Sequence, residues 1–508
     1  MKKVNLTIVV LLYAAIVSYS QSKEDYIWLF SNNSLAQEGK EAYGFNFNIK
    51  GPDFLEDYQS VVNIEFSGNN ASICDQDGNL LFYTNGCHVA DASYNIMPNG
   101  SGLNDGIWVQ EFMQDTCDAY SGTQNIMILP DPRYELGYYI IHKTIEYDGD
   151  IFFDNIKFSY VDMALNNGMG DVTLKNEIII DGVRMLSSYL TAMKGNDGEN
   201  WWIIAPTFSN EFLTIFLSEN GFQNTGNQRT NVPTFINNSS SSGTASFSSD
   251  GSSYALYNAY DNLLLYDFDR SSGDLSNLRQ LNLRNISPTA NVFSSVEWSP
   301  NSRFLYVAIQ DELWQVDTWE DDLEDGKVLI DRWNGVQDPF STNFYLMALA
   351  PDCRIYMRST SGTFSIHVIN KPNEKGTACD LVQQGVKLPF PIASMPNFPR
   401  FRVDEEDKCD PTITSIFGDH VYYRRDMTVY PNPVRDVLTV EVPEGKKGRI
   451  VVFDMQGQLV WSDHEIDIYR DKVQLDLSGL VVGTYSVEFV PDDNRERLVF
   501  TAQVVKVE

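Results

Sequence analysis

A hairpin unit recurs along most of this chain. Each copy has a short apolar strand, a polar turn and a second strand rich in aromatic and β-branched residues. The turns are marked by Asp77, Asp131, Asp197, Asp250, Asn301 and Asp352. The markers lie roughly 50 residues apart in most intervals, a period that is typical of a β-propeller built from four-stranded blades. We therefore expect an all-β body over residues 21–404 with a WD40-like propeller fold.

The number of blades is six or seven on this pattern. Six turns are visible directly, and a seventh blade would draw on both ends of the body. Separate β-sandwiches are the competing arrangement, but a sandwich repeat usually needs about 100 residues. The shorter spacing favours a propeller, whose closure also removes free sheet edges.

The N-terminus has the pattern of a secretory signal. Lys2 and Lys3 precede an uncharged run over residues 4–17, and Ser18-Tyr19-Ser20 follows it as a small-x-small cleavage site. We expect residues 1–20 to be a signal peptide, because the apolar run is shorter than the roughly 20 residues of a membrane span. No later stretch is apolar enough to span a bilayer, so we predict no transmembrane segment after cleavage and passage through the periplasm.

The C-terminal segment, residues 429–508, has alternating apolar and polar positions divided by turn residues. Leu438, Val440 and Val442 alternate with Val437, Thr439 and Glu441. This pattern predicts a small Ig-like β-sandwich, joined to the body by a linker over residues 405–428.

The same segment resembles the C-terminal sorting domain of the type IX secretion system of Bacteroidota. The resemblance rests on the Tyr430-Pro431-Asn432-Pro433 opening, the Asp454-x-x-Gly457 turn, and Gly483 and Tyr485 at a strand start. It implies that the type IX machinery is a partner and that the mature protein is secreted or attached to the outer-membrane surface. The final residues, Val505 to Glu508, are less basic than the family pattern.

The body resembles an uncharacterised group of secreted propeller-like proteins of Bacteroidota. The matching stretches include Gly78–Gly86, Met97–Gly100, Pro351–Tyr356, His367–Pro372 and Met395–Pro399. This resemblance implies a fold and a surface location, and it assigns no activity.

Charge excludes one class of partner. The chain has 69 acidic and 37 basic residues, for a net charge of −32. Nucleic-acid binding needs clustered Lys and Arg to neutralise phosphates. We therefore expect no nucleic-acid partner.

Six cysteines fall into an early and a late trio: Cys74, Cys87 and Cys117, then Cys353, Cys379 and Cys409. An exported chain is expected to form disulfides, but spacing alone does not choose among the pairings. Our hypothesis is one bond within each trio, with Cys353–Cys379 as an example, and one early-to-late bond that staples the propeller shut.

Motifs for catalysis are missing. The sequence has no Gly-x-Ser-x-Gly, His-Glu-x-x-His, P-loop or dinucleotide fingerprint, and we assign no catalytic residue. His142 and His367 lie inside apparent strands and are interpreted as structural. Asp75, Asp77 and Asn79 space their oxygens like the start of a calcium loop, but a solvated hairpin turn is the favoured interpretation because the distal Glu is missing. No other cofactor is predicted.

A long insertion over residues 98–122 holds the candidate ligand-binding residues Trp108, Phe112 and Tyr120. Planar aromatic side chains among polar groups suit sugar or peptide recognition, although packing tethered by Cys117 explains them equally well. The favoured function is therefore a surface or secreted protein that binds an extracellular glycan, peptide or protein. The alternatives are a carbohydrate-active enzyme that uses Asp/Glu pairs and a structural surface or gliding-motility component.

Overall fold

Strands dominate the computed structural model. It describes residues 22–31, 42–48, 53–54, 64, 66, 68–113, 122–208, 211–229, 243–258, 262–284, 292–338, 340–392, 394–405, 409, 423–442, 448–454, 459–466, 472–491 and 498–507. The predicted signal peptide, Cys117, Tyr120 and Gly457 lie outside these residues. The helical elements within them are the single turns Leu323–Gly326, Asn166–Gly168 and Gly376–Cys379 and the π-helix Val109–Met113. None of these has the length and apolarity needed to cross a membrane.

Seven antiparallel sheets follow one another in the described part of the body, each with its strands in chain order. The first three sheets are β1 Ile27–Ser31, β2 Ala42–Asn46 and β3 Asp53–Phe54; β4 Ala71–Cys74, β5 Leu80–Thr84, β6 His88–Asp91 and β7 Ile96–Ser101; and β8 Ile126–Asp131, β9 Tyr134–Tyr147, β10 Ile151–Asp162 and β11 Asp171–Ile180. The fourth and fifth are β12 Thr191–Lys194, β13 Trp201–Pro206, β14 Glu211–Ser218 and β15 Gly221–Arg229; and β16 Thr244–Phe247, β17 Ser253–Asn258, β18 Asn262–Asp269 and β19 Asp274–Leu281. The sixth and seventh are β20 Ser294–Trp298, β21 Phe304–Ile309, β22 Glu312–Asp317 and β23 Lys327–Arg332; and β24 Met347–Leu349, β25 Ile355–Met357, β26 Thr363–Ile369 and β27 Leu381–Ile392.

The hairpins predicted from the turn residues are confirmed. In six sheets an Asp or Asn between the first two strands accepts a hydrogen bond from the backbone N–H two residues later, a local turn that these side chains favour. The acceptors are Asp75, Asp131, Asp197, Asp250, Asn301 and Asp352, at 2.9 to 3.2 Å. In the second sheet the acceptor is thus Asp75 rather than the predicted marker Asp77.

Apolar clusters lie between neighbouring sheets. Ile27 and Leu29 of the first sheet share a cluster with Cys74 and Tyr83 of the second, and further clusters join each later sheet to the next. Trp28 of the first sheet also packs edge-on against Tyr356 of the seventh, with ring centroids 5.9 Å apart. The last sheet of the body is therefore in contact with the first.

The C-terminal segment forms two sheets around one core. The larger sheet has the order β28, β35, β34, β31, β32, with β28 Tyr423–Asp426, β31 Gly448–Asp454, β32 Leu459–Ile466, β34 Gly483–Pro491 and β35 Leu498–Lys506. The smaller has β29 Val429–Tyr430, β30 Val437–Glu441 and β33 Lys472–Asp476. Leu438, Val440, Val452 and Val487 meet between them. Strand β28 lies within residues 405–428, the segment expected to be a linker. It pairs in parallel with β35, so this part of the segment belongs to the larger sheet.

The cysteine hypothesis is confirmed in placing a disulfide within the late trio, but its example pair and its early-to-late staple are wrong. Cys353 is bonded to Cys409, whereas Cys379 is a buried free thiol, so the Cys353–Cys379 bond does not form. Cys74 of the early trio is also free and buried, so Cys74 and Cys379 do not form an early-to-late staple. Cys87 is disulfide-bonded, and its partner is outside the described residues. The hydrophobic clusters that hold Cys74 and Cys379 separate both thiols from the other sulfurs.

Candidate functional site

The insertion before β8 is held against the third sheet. Asn104 donates from Nδ2 to the Lys143 carbonyl at 3.2 Å and accepts from the Ile145 N–H at 3.2 Å, as a neighbouring strand would. Gly106 is required beside them, because a Cβ atom there would lie 2.1 Å from the Ile145 carbonyl oxygen. These contacts set the position of the helical turn that follows.

Two of the predicted aromatic residues come together on that turn. The rings of Trp108 and Phe112 stack with centroids 4.6 Å apart, and Tyr147 at the end of β9 packs 5.0 Å from Phe112 and 5.2 Å from Trp108. Phe112 is 52% exposed, and the neighbouring Ile107 is 45% exposed. We call Ile107, Trp108, Phe112 and Tyr147 the aromatic platform. Sequence reasoning missed Tyr147, whose place at the end of an apolar strand was its one signal.

Charged side chains surround the platform. Lys157 pairs with Asp105 at 2.6 Å, and the Glu146 carboxylate accepts the Ile107 N–H at 3.0 Å. Arg184 lies 3.7 Å from Asp148 and 3.7 Å above the ring of Phe152. Each of the two cations has a carboxylate partner nearby, and the three carboxylates against two cations leave these named side chains with a net charge of 2 − 3 = −1.

Lys143 supports this region from beneath. Its side chain is buried, and Nζ donates to the carbonyls of Leu186 at 3.0 Å and of Ser188. Burial lowers the pKa of Lys143 to about 7, since desolvation disfavours the charged amine. The contacts tie β9 to the chain entering the fourth sheet, which is a structural role.

A second arrangement was not foreseen from the sequence. Residues 394–405, which we call the strap, run beside the first strands of the body sheets. Pro396 forms a parallel bridge with Asn70 and Arg400 another with Met193. Asn397 donates from Nδ2 to the carbonyls of Ile126 at 2.9 Å and Leu190 at 3.1 Å. The strap thereby contacts the second, third and fourth sheets within its first seven residues.

Two arginines join the strap to the fifth and sixth sheets and to the start of the first sheet. Arg400 pairs with Glu297 of the sixth sheet and donates to the Ser246 hydroxyl of the fifth at 2.7 Å. Arg402 forms a bidentate pair with Asp25, just before β1, one arm of which measures 2.8 Å. Burial alone would lower the pKa of Arg402, but the Asp25 carboxylate raises it. The chain turns at residues 401–404, and two arginines close together in a largely apolar stretch were the sequence signal for this segment.

The acidic turn proposed for calcium is a hydrogen-bonded hairpin. Asp75 accepts the N–H groups of Asp77 and Asn79 at 2.9 and 2.8 Å, and the Asn79 amide donates to both of its carboxylate oxygens. Across the described residues, no three His, Cys, Asp or Glu side chains are grouped as a metal would need.

The sorting-motif residues organise the end of the chain. Asn432 donates to the Gln503 carbonyl at 2.8 Å and accepts the Val505 N–H at 2.9 Å. The Tyr485 hydroxyl donates to the Val481 carbonyl at 2.6 Å, while the exposed Tyr430 accepts a hydrogen bond from Lys472 at 2.8 Å. Asn432 therefore clamps β35 by its backbone. Pro431 and Pro433 flank Asn432. Asp454 on β31 pairs in register with Tyr485 on β34, the strand that begins at Gly483.

Comparison with known families identifies this segment. Residues 428–500 match the family described as secretion system C-terminal sorting domain. This agrees with the type IX resemblance seen in the sequence. No curated protein matches the chain.

Solved structures show only distant likeness. A putative 6-phosphogluconolactonase from Bacteroides uniformis has 11% identity and a TM-score of 0.42, over 72% of this chain and 98% of that one. The surface component PorZ of the type IX secretion system of Porphyromonas gingivalis has 12% identity and a TM-score of 0.31, over 96% of this chain and 60% of that one. Likenesses at this level carry no functional implication.

Proposed function

Because the chain ends in a secretion system C-terminal sorting domain, we propose that it is exported by the type IX system as a seven-bladed β-propeller that binds an extracellular partner. The mature protein is secreted or held at the outer-membrane surface. Its partner is an extracellular glycan, peptide or neighbouring surface protein.

The propeller assignment is supported by the order of the sheets. Seven antiparallel sheets succeed one another along the chain, each shares an apolar cluster with the next, and the seventh shares one with the first. A closed ring of blades accounts for these contacts. In such a ring the strap lies along the axis, where the first strands face one another.

One observation carries the binding assignment: Ile107 and Phe112 of the aromatic platform are exposed, while half-buried Trp108 and Tyr147 anchor them beside the third sheet. Contiguous exposed apolar patches on monomeric proteins often mark interaction sites, and loops on a rigid scaffold commonly carry function. The net charge of −32 disfavours polyanionic partners by charge repulsion. Neutral glycans and neutral or basic peptides are the partners that fit.

The enzymatic alternative is less well supported. A glycosidase needs two carboxylates free to reach one sugar, and the inward-facing Glu297 and Asp25 are both engaged by strap arginines. In the proposed ring, the strap would occupy the axial position that a propeller enzyme uses.

Binding is tested with the full-length oxidised chain on arrays of neutral and acidic polysaccharides and of peptides, reading retention and product release together. We expect retention without products and its loss in Phe112→Ser. Trp319→Ser is the matched control, because Trp319 is also exposed, at 67%, but lies after β22 in the sixth sheet. Equal retention by Phe112→Ser, or release of products, would overturn the proposal.

A further inference from the structure

We propose that the strap is the closing element of the ring and that the Cys353–Cys409 disulfide locks it in place. Ring closure then becomes the last, oxidation-dependent step in forming the body. This inference rests on the proposed propeller ring, but it does not depend on what the platform binds.

The strap can dock only when the sheets it contacts already exist. Arg402 and Asp25 are 377 residues apart, Asn70 and Ser394 are 324 apart, and Arg400 and Glu297 are 103 apart. Contacts of such long range require that the intervening chain be ordered first, because loop closure costs entropy before the contacts stabilise it. The strap is therefore the natural last piece to dock.

Leaving the strap undocked is costly for the sheets. Glu297 and Asp25 are both buried, and the strap arginines supply their cationic partners. A buried carboxylate that loses its cation is strongly unfavourable. Phe401 also fills a position 5.9 Å from the Trp201 ring, so removal of the strap would expose apolar surface as well.

The disulfide holds the far end of the strap. Cys409 follows the strap by four residues and is bonded to Cys353, which lies in the turn between β24 and β25 of the seventh sheet. Forming this bond joins the two Sγ atoms and passes two protons and two electrons to a disulfide donor, which is reduced to two thiols. In an oxidising compartment such donors are present, so the lock forms after export.

Two native thiols report on closure. Cys74 lies in the cluster between the first and second sheets, and Cys379 lies in the cluster between the sixth and seventh. Burial raises the pKa of both thiols, that of Cys379 to about 11. Since the thiolate is the reactive form, alkylation near neutral pH requires that these junctions open.

The test compares the full-length chain with the double variant Cys353→Ser, Cys409→Ser by timed maleimide alkylation read by peptide mass spectrometry. We expect Cys74 to react about tenfold faster in the variant, because the unlocked strap releases Asp25 and the first sheet more often. Arg284→Gln, which removes a surface ion pair with Asp311, is the control and should leave the rate unchanged. Equal Cys74 rates in the double variant and the parent chain would overturn the proposal.

A second measurement needs no variant. In hydrogen exchange of the wild-type full-length chain, peptides covering the strap should open at a lower free energy than peptides covering β1, because the last element to dock is the first to leave. Opening of β1 at a lower free energy than the strap would contradict the strap's role as the closing element. The sorting domain should exchange independently of both.

Discussion

Arg402 binds the carboxylate of Asp25 through two hydrogen bonds although 377 residues separate them in the sequence. Both side chains are largely buried, at 10% and 7% exposure. The pair joins the end of the strap to the start of the first sheet. It makes the two ends of the body interdependent.

Breaking this pair should destabilise the body strongly. Arg402→Met leaves Asp25 buried without its cation, and we expect a loss of about 3–5 kcal/mol in the free energy of unfolding. The double variant Asp25→Leu, Arg402→Met removes both charges and should recover much of that loss. Denaturant unfolding followed by tryptophan fluorescence checks both, with Arg284→Met at an exposed pair as the control, expected to cost under about 1 kcal/mol. A double variant no more stable than Arg402→Met would contradict this account.

Acidification should destabilise the body through two buried histidines. Burial lowers the pKa of His142 and of His367 to about 4 from the ordinary value near 6.5. Between these values the unfolded chain binds protons that the folded chain does not, so stability falls as the pH drops from about 6.5 to 4. Each histidine contributes a slope of about 1.4 kcal/mol per pH unit in that window. The free energy of unfolding, measured at several pH values, should depend less steeply on pH in His142→Phe than in the parent chain. An unchanged dependence would contradict the role given to His142.

The platform depends on the glycine that lets its segment approach β9. Gly106→Ala would place a methyl group 2.1 Å from the Ile145 carbonyl oxygen, so the backbone must shift at a cost of about 1–3 kcal/mol. We expect faster hydrogen exchange in peptides over residues 102–113 and weaker retention of the ligand. Gly479→Ala, whose methyl would meet nothing within 4 Å, is the matched control. If peptides over residues 102–113 exchanged at the same rate in Gly106→Ala as in the parent chain, close contact with β9 would not be what holds this segment.

Asn432 should stabilise the sorting domain through its two hydrogen bonds to β35. Asn432→Ala removes both hydrogen bonds, and we expect the free energy of unfolding of the sorting domain to fall by about 1 kcal/mol. Asn432→Asp keeps the acceptor for the Val505 N–H and should lose less. Calorimetry checks the stability, and the fraction of protein reaching the medium checks export. If Asn432→Ala melted like the parent chain, the clamp would have no energetic role.

Much of the local architecture was predictable because its signals are local. Asp131, Asp197, Asp250, Asn301 and Asp352 mark hairpins whose turn hydrogen bonds span two residues. The all-β class, the sorting-domain motif and the choice of Trp108 and Phe112 as candidate residues follow from patterns within short windows. The seven-bladed count remains part of the proposal.

Pairings between distant residues were not predictable in the same way. The pairing of Cys353 with Cys409 rather than with Cys379 joins residues 56 apart in the sequence, and no local pattern encodes which of the two partners Cys353 meets. Tyr147 joins the platform because β9 extends past β8 to meet the insertion.

By itself, then, the sequence determined the strand and turn content, the acidic surface and the export domain, because propensity, charge and short motifs act over a few neighbouring residues. Only the tertiary structure decided that Arg400 and Arg402 meet Glu297 and Asp25, and that a segment of the chain lies among the first strands of its own sheets. Those contacts arise from the packing of sheets that are far apart in the sequence. The stability of a buried ion pair depends on that surrounding geometry rather than on residue type.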